Sequence, residues 1–185
     1  ALKIKANYKN EELDSYTYTL NYLALLETEL LNYGKALELY KEALGLVKTS
    51  KGTNSSEFLT IQNNIANTYS SKGEHQKAIN IFEQNLIIEE NLYGKKHNKY
   101  ATTLNNLSIA YSELGQHEKA ILNTKKSLAI LSELYGEDDF RCQEVLNNLA
   151  TLYAKNKDYK KSIDSFKKVV NNTYSQIDDN FSFLS

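Results

Sequence analysis

The sequence predicts an all-α fold, an α-solenoid of antiparallel helix pairs, and three observations carry that prediction. A shift of 42 residues brings three long segments into register without a gap. No proline interrupts the 185 residues and only seven glycines serve turns, which favours long helices over many sharply turned strands. Five of those seven glycines recur at the repeat spacing, Gly73 with Gly115, and Gly52 with Gly94 and Gly136.

The register shows a helix pair, A then B, in each unit. Thr60 to Tyr69, Thr102 to Tyr111 and Glu144 to Tyr153 align, and downstream Ala36, Ala78, Ala120 and Ser162 share one phase. In the middle unit, Leu104, Leu107, Ala110, Tyr111 and Leu114 form a stripe at three- and four-residue steps, predicting helix A from about Lys99 to Glu113. Gly115 ends it. Helix B is expected from about His117 to Leu134, with Ala120, Ile121, Leu128, Ile130, Leu131 and Leu134 inward and Gly136 in the turn beyond. Asp138 or Asp139 is expected to cap the next helix, with Asn98 doing the same one unit earlier. Ala66, Ser108 and Ala150 face the phase of Ala78, Ala120 and Ser162, so small residues let the paired backbones approach closely.

The outer units depart from this pattern. Glu27 stands where Tyr69, Tyr111 and Tyr153 recur, and Leu31 replaces the glycine, which predicts a modified turn with Gly34 displaced three residues. Residues 1–9 align with the end of a helix B, and Asn10 occupies the Gly52 phase as a left-handed substitute. The expected division is therefore residues 1–9 as the end of a preceding repeat helix, and 10–179 as a four-repeat array. Its units run about 17–52, 58–94, 99–136 and 140–177, and 180–185 begin a following element. Lys161 to Asn172 completes the last helix B, and the span reads as a cut from a longer array.

Composition narrows the function classes. Twenty-two basic residues stand against 23 acidic ones, and Arg141 is the single arginine, so neither a phosphate stripe nor an arginine-rich base-reading set is present. Nucleic acid is not an expected partner. Cys142 alone cannot form an internal disulfide, and three scattered histidines offer no zinc spacing, which points to a cytoplasmic protein without metal or cofactor. No stretch reaches the length of a membrane span.

The core running from Asn106 to Ala120 through Tyr111, Leu114 and Gly115, followed by Leu128-Ala129-Ile130 and Leu134-Tyr135-Gly136, resembles the tetratricopeptide repeat family. The likeness is to its 42-residue, kinesin-light-chain-like subclass, and similar cores begin at Asn64 and Asn148. That resemblance implies a right-handed stack of helix pairs whose A helices line a concave surface, and a function in protein or peptide binding. A second resemblance, carried by residues 180–185, is to bacterial repeat arrays preceding a caspase-like CHAT peptidase domain. It implies a sensor or scaffold attached to an effector.

Helix A carries a polar series that propensity disfavours, since mid-helix Asn is about 0.6 kcal/mol worse than Ala. Asn21, Asn63, Asn105 and Asn147 share one phase, and Asn64, Asn106 and Asn148 share the next. In a family-like array the first series points into the groove, where carboxamides can bind a peptide backbone. Asn67, Thr60, Ser70, Thr102, Ser112, Glu144 and Thr151 extend this expected peptide- and protein-binding surface, polar and nearly neutral. The competing reading is that the asparagines satisfy neighbouring helices and keep the repeats spaced. A structural array that positions an attached effector, without a ligand of its own, is the alternative function.

No catalytic set is expected. His75 and His117 share a helix-start phase with Tyr33 and Tyr159, and His97 is a loop residue at the Asp139 phase. Cys142 falls in the semi-buried phase of Phe58 and Tyr100, while Asp138-Asp139 and Asp178-Asp179 occupy loop and cap phases. No phosphate cradle, metalloprotease helix or nucleophile elbow occurs.

Overall fold

The computed structural model describes residues 2–182, with side chains described for residues 11–174. Among the described residues the chain is all-α. The helices are α1 (Leu2–Glu29), α2 (Tyr33–Ser50), α3 (Ser56–Ser71), α4 (His75–Tyr93), α5 (Asn98–Glu113), α6 (His117–Tyr135), α7 (Phe140–Lys155) and α8 (Tyr159–Ser182). Odd-numbered helices are the A helices and even-numbered ones the B helices, paired antiparallel. The chain divides into two compact units, residues 1–88 and 89–185, with α4 beginning in the first and ending in the second.

All four A-to-B turns have one geometry, set by the backbone. Leu31, Gly73, Gly115 and Lys157, each 42 residues after the last, take the left-handed conformation with φ of 63°, 86°, 72° and 64°. The next residue's N–H reaches back to the carbonyl five residues earlier, Asn32 to Glu27, Glu74 to Tyr69, Gln116 to Tyr111 and Asp158 to Tyr153, at 2.8–2.9 Å. The expectation of a modified first turn is therefore corrected. Leu31 holds the repeat geometry despite its Cβ, and Gly34 lies inside α2.

The B-to-A junctions use an end glycine and a capping side chain. Ser55 Oγ accepts from the N–H of Phe58 at 3.3 Å, His97 Nδ1 from that of Lys99 at 3.2 Å, and Asp139 Oδ1 from that of Arg141 at 2.9 Å. Asn98, expected as a cap, is the first residue of α5 instead, because His97 one position earlier presents its ring nitrogen. The break expected at Asn10 is also absent, since α1 runs unbroken from Leu2 to Glu29. Residues 180–182 continue α8 rather than opening a new element, and residues 183–185 lie outside the described residues.

Close backbone approach explains the cores. Ala24, Ala36, Ala66, Ala78, Ser108, Ala120 and Ala150 are fully buried, and Ser162 is 5% exposed. Within 1–88, Ala24 and Ala36 pack with Leu20, Tyr40, Ala43, Val47, Phe58 and Ile61. Within 89–185 one apolar cluster joins Ala101, Leu131, Cys142 and Val145, and another joins Leu146, Leu149 and Tyr153. One junction in the second unit breaks the apolar rule. Val47 with Ile61 and Leu131 with Val145 occupy repeat positions that in α4 and α5 hold Glu89 and Thr103, both fully buried, with Thr103 Oγ1 donating to Glu89 Oε1 at 2.9 Å.

Candidate functional site on the A helices

In the first unit, α1 and α3 are joined by asparagines. Asn64 Nδ2 donates to Asn21 Oδ1 at 2.9 Å, and Asn63 Oδ1 accepts from Asn85 Nδ2 of α4 at 2.8 Å. The same rung recurs in the second unit, where Asn148 Nδ2 of α7 donates to Asn105 Oδ1 of α5 at 3.3 Å. Carboxamides at repeat spacing plus one thus bond to each other. This spends hydrogen-bonding capacity that the sequence reading assigned to a ligand.

The remaining expected residues divide by exposure. Thr60, Asn67, Thr102, Glu144, Asn147 and Thr151 are exposed, while Asn21, Asn63 and Ser70 are half-buried. Thr60, Thr102 and Thr151 each donate their hydroxyl to the backbone carbonyl four residues earlier. Asn105 and Ser112 are buried, at 7% and 6% exposure. Ser112 Oγ accepts from Lys155 Nζ at 3.4 Å, and the same ammonium pairs with Glu113 at 2.9 Å, tying α7 to α5. Ser70 Oγ lies 3.4 Å from His75 Nδ1.

Each unit has a cleft between successive A helices. In the first, a cleft of about 490 Å³ is lined by α1 at Asp14, Tyr18 and Asn21, by Val47 of α2 and Lys51 just beyond its end, and by α3 at Glu57, Thr60 and Ile61. Asn21 and Thr60 therefore meet in one site, and Asn63, Asn67 and Ser70 do not line it. Lys51 Nζ bridges Glu57 at 2.7 Å and Asp14 at 3.0 Å, and Glu57 first, then Asp14, hold its ammonium above the ordinary lysine range. In the second unit a smaller cleft of about 190 Å³ brings Ser112 and Thr151 together with Ile109, Asn148, Leu152 and Lys155. Thr102, Asn105, Glu144 and Asn147 lie outside it. The charged rim of Asp14, Lys51 and Glu57 lies outside the expected surface, which follows the asparagine series and the phases of Thr60, Asn67 and Ser70 and holds no residue of these three positions. The turn-end position of Lys51 was the available signal.

The side chains set aside on sequence have structural surroundings. His75 and His117 start α4 and α6, and the His97 ring stacks on Tyr93 with centroids 4.5 Å apart. Cys142 is 1% exposed, its Sγ donates to the Gly136 carbonyl at 3.2 Å, and burial pushes its thiol up. Arg141 pairs with Asp139 and lies 3.6 Å from the centre of the Tyr135 ring. Among the described residues no group of three or more His, Cys, Asp or Glu could hold a metal ion, and no helix is long and apolar enough to cross a membrane.

Paired helices at a fixed repeat, with clefts between successive A helices, define a helical repeat protein. The chain belongs to the tetratricopeptide repeat family. The family's models, described as Tetratricopeptide repeat, match residues 15–84, 57–133 and 143–173. None of the curated proteins compared with the chain matches it. Among solved structures it is similar to BtubC (BKLC) from P. vanneervenii, at 22% identity and a TM-score of 0.78, over 89% of this chain and 65% of that one. It is similar to the nearly identical TPR-like repeats of a chain designated kinesin light chain from Podosopora anserina, at 19% identity and a TM-score of 0.75, over 85% of this chain and 75% of that one. A Rap protein complexed with Competence and Sporulation Factor is similar at 17% identity and a TM-score of 0.76, over 91% of this chain and 45% of that one. The chain thus spans about two-thirds of BtubC and under half of the Rap protein. These likenesses show the fold.

Proposed function

We propose that the chain is a protein-interaction module that holds a peptide or protein segment against its A helices. The observation that carries this reading is the cleft between α1 and α3, lined by Asn21 and Thr60 together with the buried Val47 and Ile61. An apolar floor with a few convergent polar groups is the ordinary make-up of a recognition site. The exposed Thr102, Glu144, Asn147 and Thr151 extend the proposal to the second unit, and the Rap protein, complexed with Competence and Sporulation Factor, supports it by analogy. The module acts without catalysis, metal or cofactor, in the cytoplasm, as part of a larger, bacterial protein.

The test is a selection from a displayed random-peptide library against the full chain, followed by titration of the selected peptides. Thr60→Trp fills the cleft without adding charge, at an exposed position where Trp is no worse a helix former than Thr. Binding should weaken by at least about tenfold, or about 1.4 kcal/mol, with unchanged thermal unfolding. Equal affinity for both proteins would contradict the reading.

A second reading has its own support. The rungs from Asn64 to Asn21 and from Asn148 to Asn105 use carboxamides to fasten A helices together, as a scaffold requires. In that reading the array positions or restrains an attached effector, and the caspase-like CHAT peptidase rests on the sequence resemblance alone.

A further inference from the structure

The first and last helices expose positions that the interior repeats bury. In the second unit, Ile121 and Leu128 of α6 are half-buried against the cluster of Leu146, Leu149 and Tyr153 in α7. One repeat on, their counterparts Ile163 and Val170 of α8 are 53% and 57% exposed. Phe166 between them is exposed where Tyr40 and Thr124 are fully buried. Three repeats before Leu149 and Leu152, each 5% exposed, stand Leu23 and Leu26 of α1, at 41% and 51%. The chain therefore displays both halves of one repeat-to-repeat contact, the trailing half on α8 and the leading half on α1.

Charge complementarity favours one occupant for both faces. The Tyr153 ring has two cations near it, Lys161 of its own repeat at 5.5 Å and Lys125 of the preceding B helix at 5.6 Å. In α1 that ring is replaced by Glu27, which pairs with Lys35, the counterpart of Lys161. The counterpart of Lys125 on α8 is the exposed Lys167, four residues after Ile163 and three before Val170, hence on their side of the helix. An acid thus stands on α1 at the position where α8, in the interior register, delivers a base.

We propose that α8 of one chain stacks on α1 of a second copy, head to tail, in the register of the α6-to-α7 contact. Ile163, Phe166 and Val170 cover Leu23 and Leu26 of the second copy, and Lys167 pairs with its Glu27. Because the two faces differ, each added chain leaves one of each exposed, and association continues with concentration instead of stopping at a symmetric dimer.

Analytical ultracentrifugation of the full chain over a concentration series tests this. The average mass should rise with concentration past that of two chains. Val170→Glu places a charge on the α8 face and Leu23→Glu one on the α1 face. Each variant alone should be monomeric, with unchanged helix content by circular dichroism because both positions are exposed. An equimolar mixture of the two should form a heterodimer and go no further, since each variant contributes one intact face. Lys167→Gln should weaken association of the otherwise unaltered chain about fivefold, the scale of one exposed ion pair. A single-chain mass at every concentration up to about 1 mM would overturn the proposal and leave the two faces to helices of other proteins. A mixture that stays monomeric, a Leu23→Glu variant that still dimerises through α8 alone, or association indifferent to Lys167→Gln would overturn it as well.

Discussion

Lys119 Nζ lies 5.1 Å from the centre of the Tyr111 ring, eight residues before it, across the turn that joins α5 to α6. The same pair recurs as Lys77 over Tyr69 at 5.2 Å and Lys161 over Tyr153 at 5.5 Å. In the first repeat the ring is replaced by Glu27, and Lys35 closes the turn as an ion pair with that carboxylate. Position and cation persist while the chemistry changes from ring face to carboxylate.

That exchange makes the first turn sensitive to acid. Lys35 first, then Asn32, hold the Glu27 carboxyl below the ordinary glutamate range. Its contribution to stability is full above the unfolded-state value and is lost as pH falls through the lower, folded value. Glu27→Tyr restores the ring of the other repeats and removes this dependence. Urea unfolding at about pH 7 and about pH 3 should show a smaller acid loss for the variant than for the wild type; equal losses would contradict the assignment.

Leu31 and Lys157 occupy the left-handed turn position that Gly73 and Gly115 fill. A side chain there costs roughly 1–2 kcal/mol, partly offset in the unfolded chain by the greater freedom of glycine. Leu31→Gly and Lys157→Gly should each therefore stabilise by about 0.5–1 kcal/mol, measured by denaturant unfolding. Gly45→Ala, in the interior of α2 with open space where the new methyl would stand, should stabilise by roughly 0.5–1 kcal/mol.

The Asn148 to Asn105 bond predicts energetic coupling between α7 and α5. Because Asn105 is buried, Asn105→Ala should cost about 1–3 kcal/mol and the double variant less than the sum of the two single ones. A coupling energy near zero in the double-mutant cycle would remove the scaffold role assigned to this rung.

Thr103 and Thr102 are neighbours with opposite tasks. Thr103 is fully buried and donates to Glu89, whereas Thr102 is exposed and bonds its own helix. Thr103→Val should destabilise by about 1–3 kcal/mol, and Thr102→Val by well under about 1 kcal/mol. A similar contrast concerns packing: Ala120→Leu should cost about 1–3 kcal/mol through overpacking. Lys125 is exposed yet lies 5.6 Å from the Tyr153 ring centre, so its loss forfeits a contact that a bare surface site would lack.

Much of the fold was legible because the repeat enforces it. The bounds expected for α5 and α6 fall within one residue of those observed, since Gly115, Gly136 and the apolar stripe mark both ends. Leu31 and Lys157 were not legible as left-handed residues, because composition associates that conformation with glycine, and only the surrounding repeat geometry imposes it on them. The asparagine rungs were half legible. The spacing of 43 residues separating Asn21 from Asn64 and Asn105 from Asn148 was present in the sequence, but only the packing of successive A helices turns that spacing into a bond. Likewise Glu89 and Thr103 break an apolar phase that Val47, Leu131, Ile61 and Val145 establish, a signal visible once buried pairs are compared across repeats.

The proposed binding face is the surface of the A helices. Backbone amide chemical shifts of the full chain, followed while a library-selected peptide is added, locate the contact directly. Binding should move the amides of Tyr18 and Asn21 in α1 and of Thr60 in α3, which line the cleft. Shifts confined to exposed B-helix positions such as Lys41 in α2 and Asn80 in α4 would contradict it.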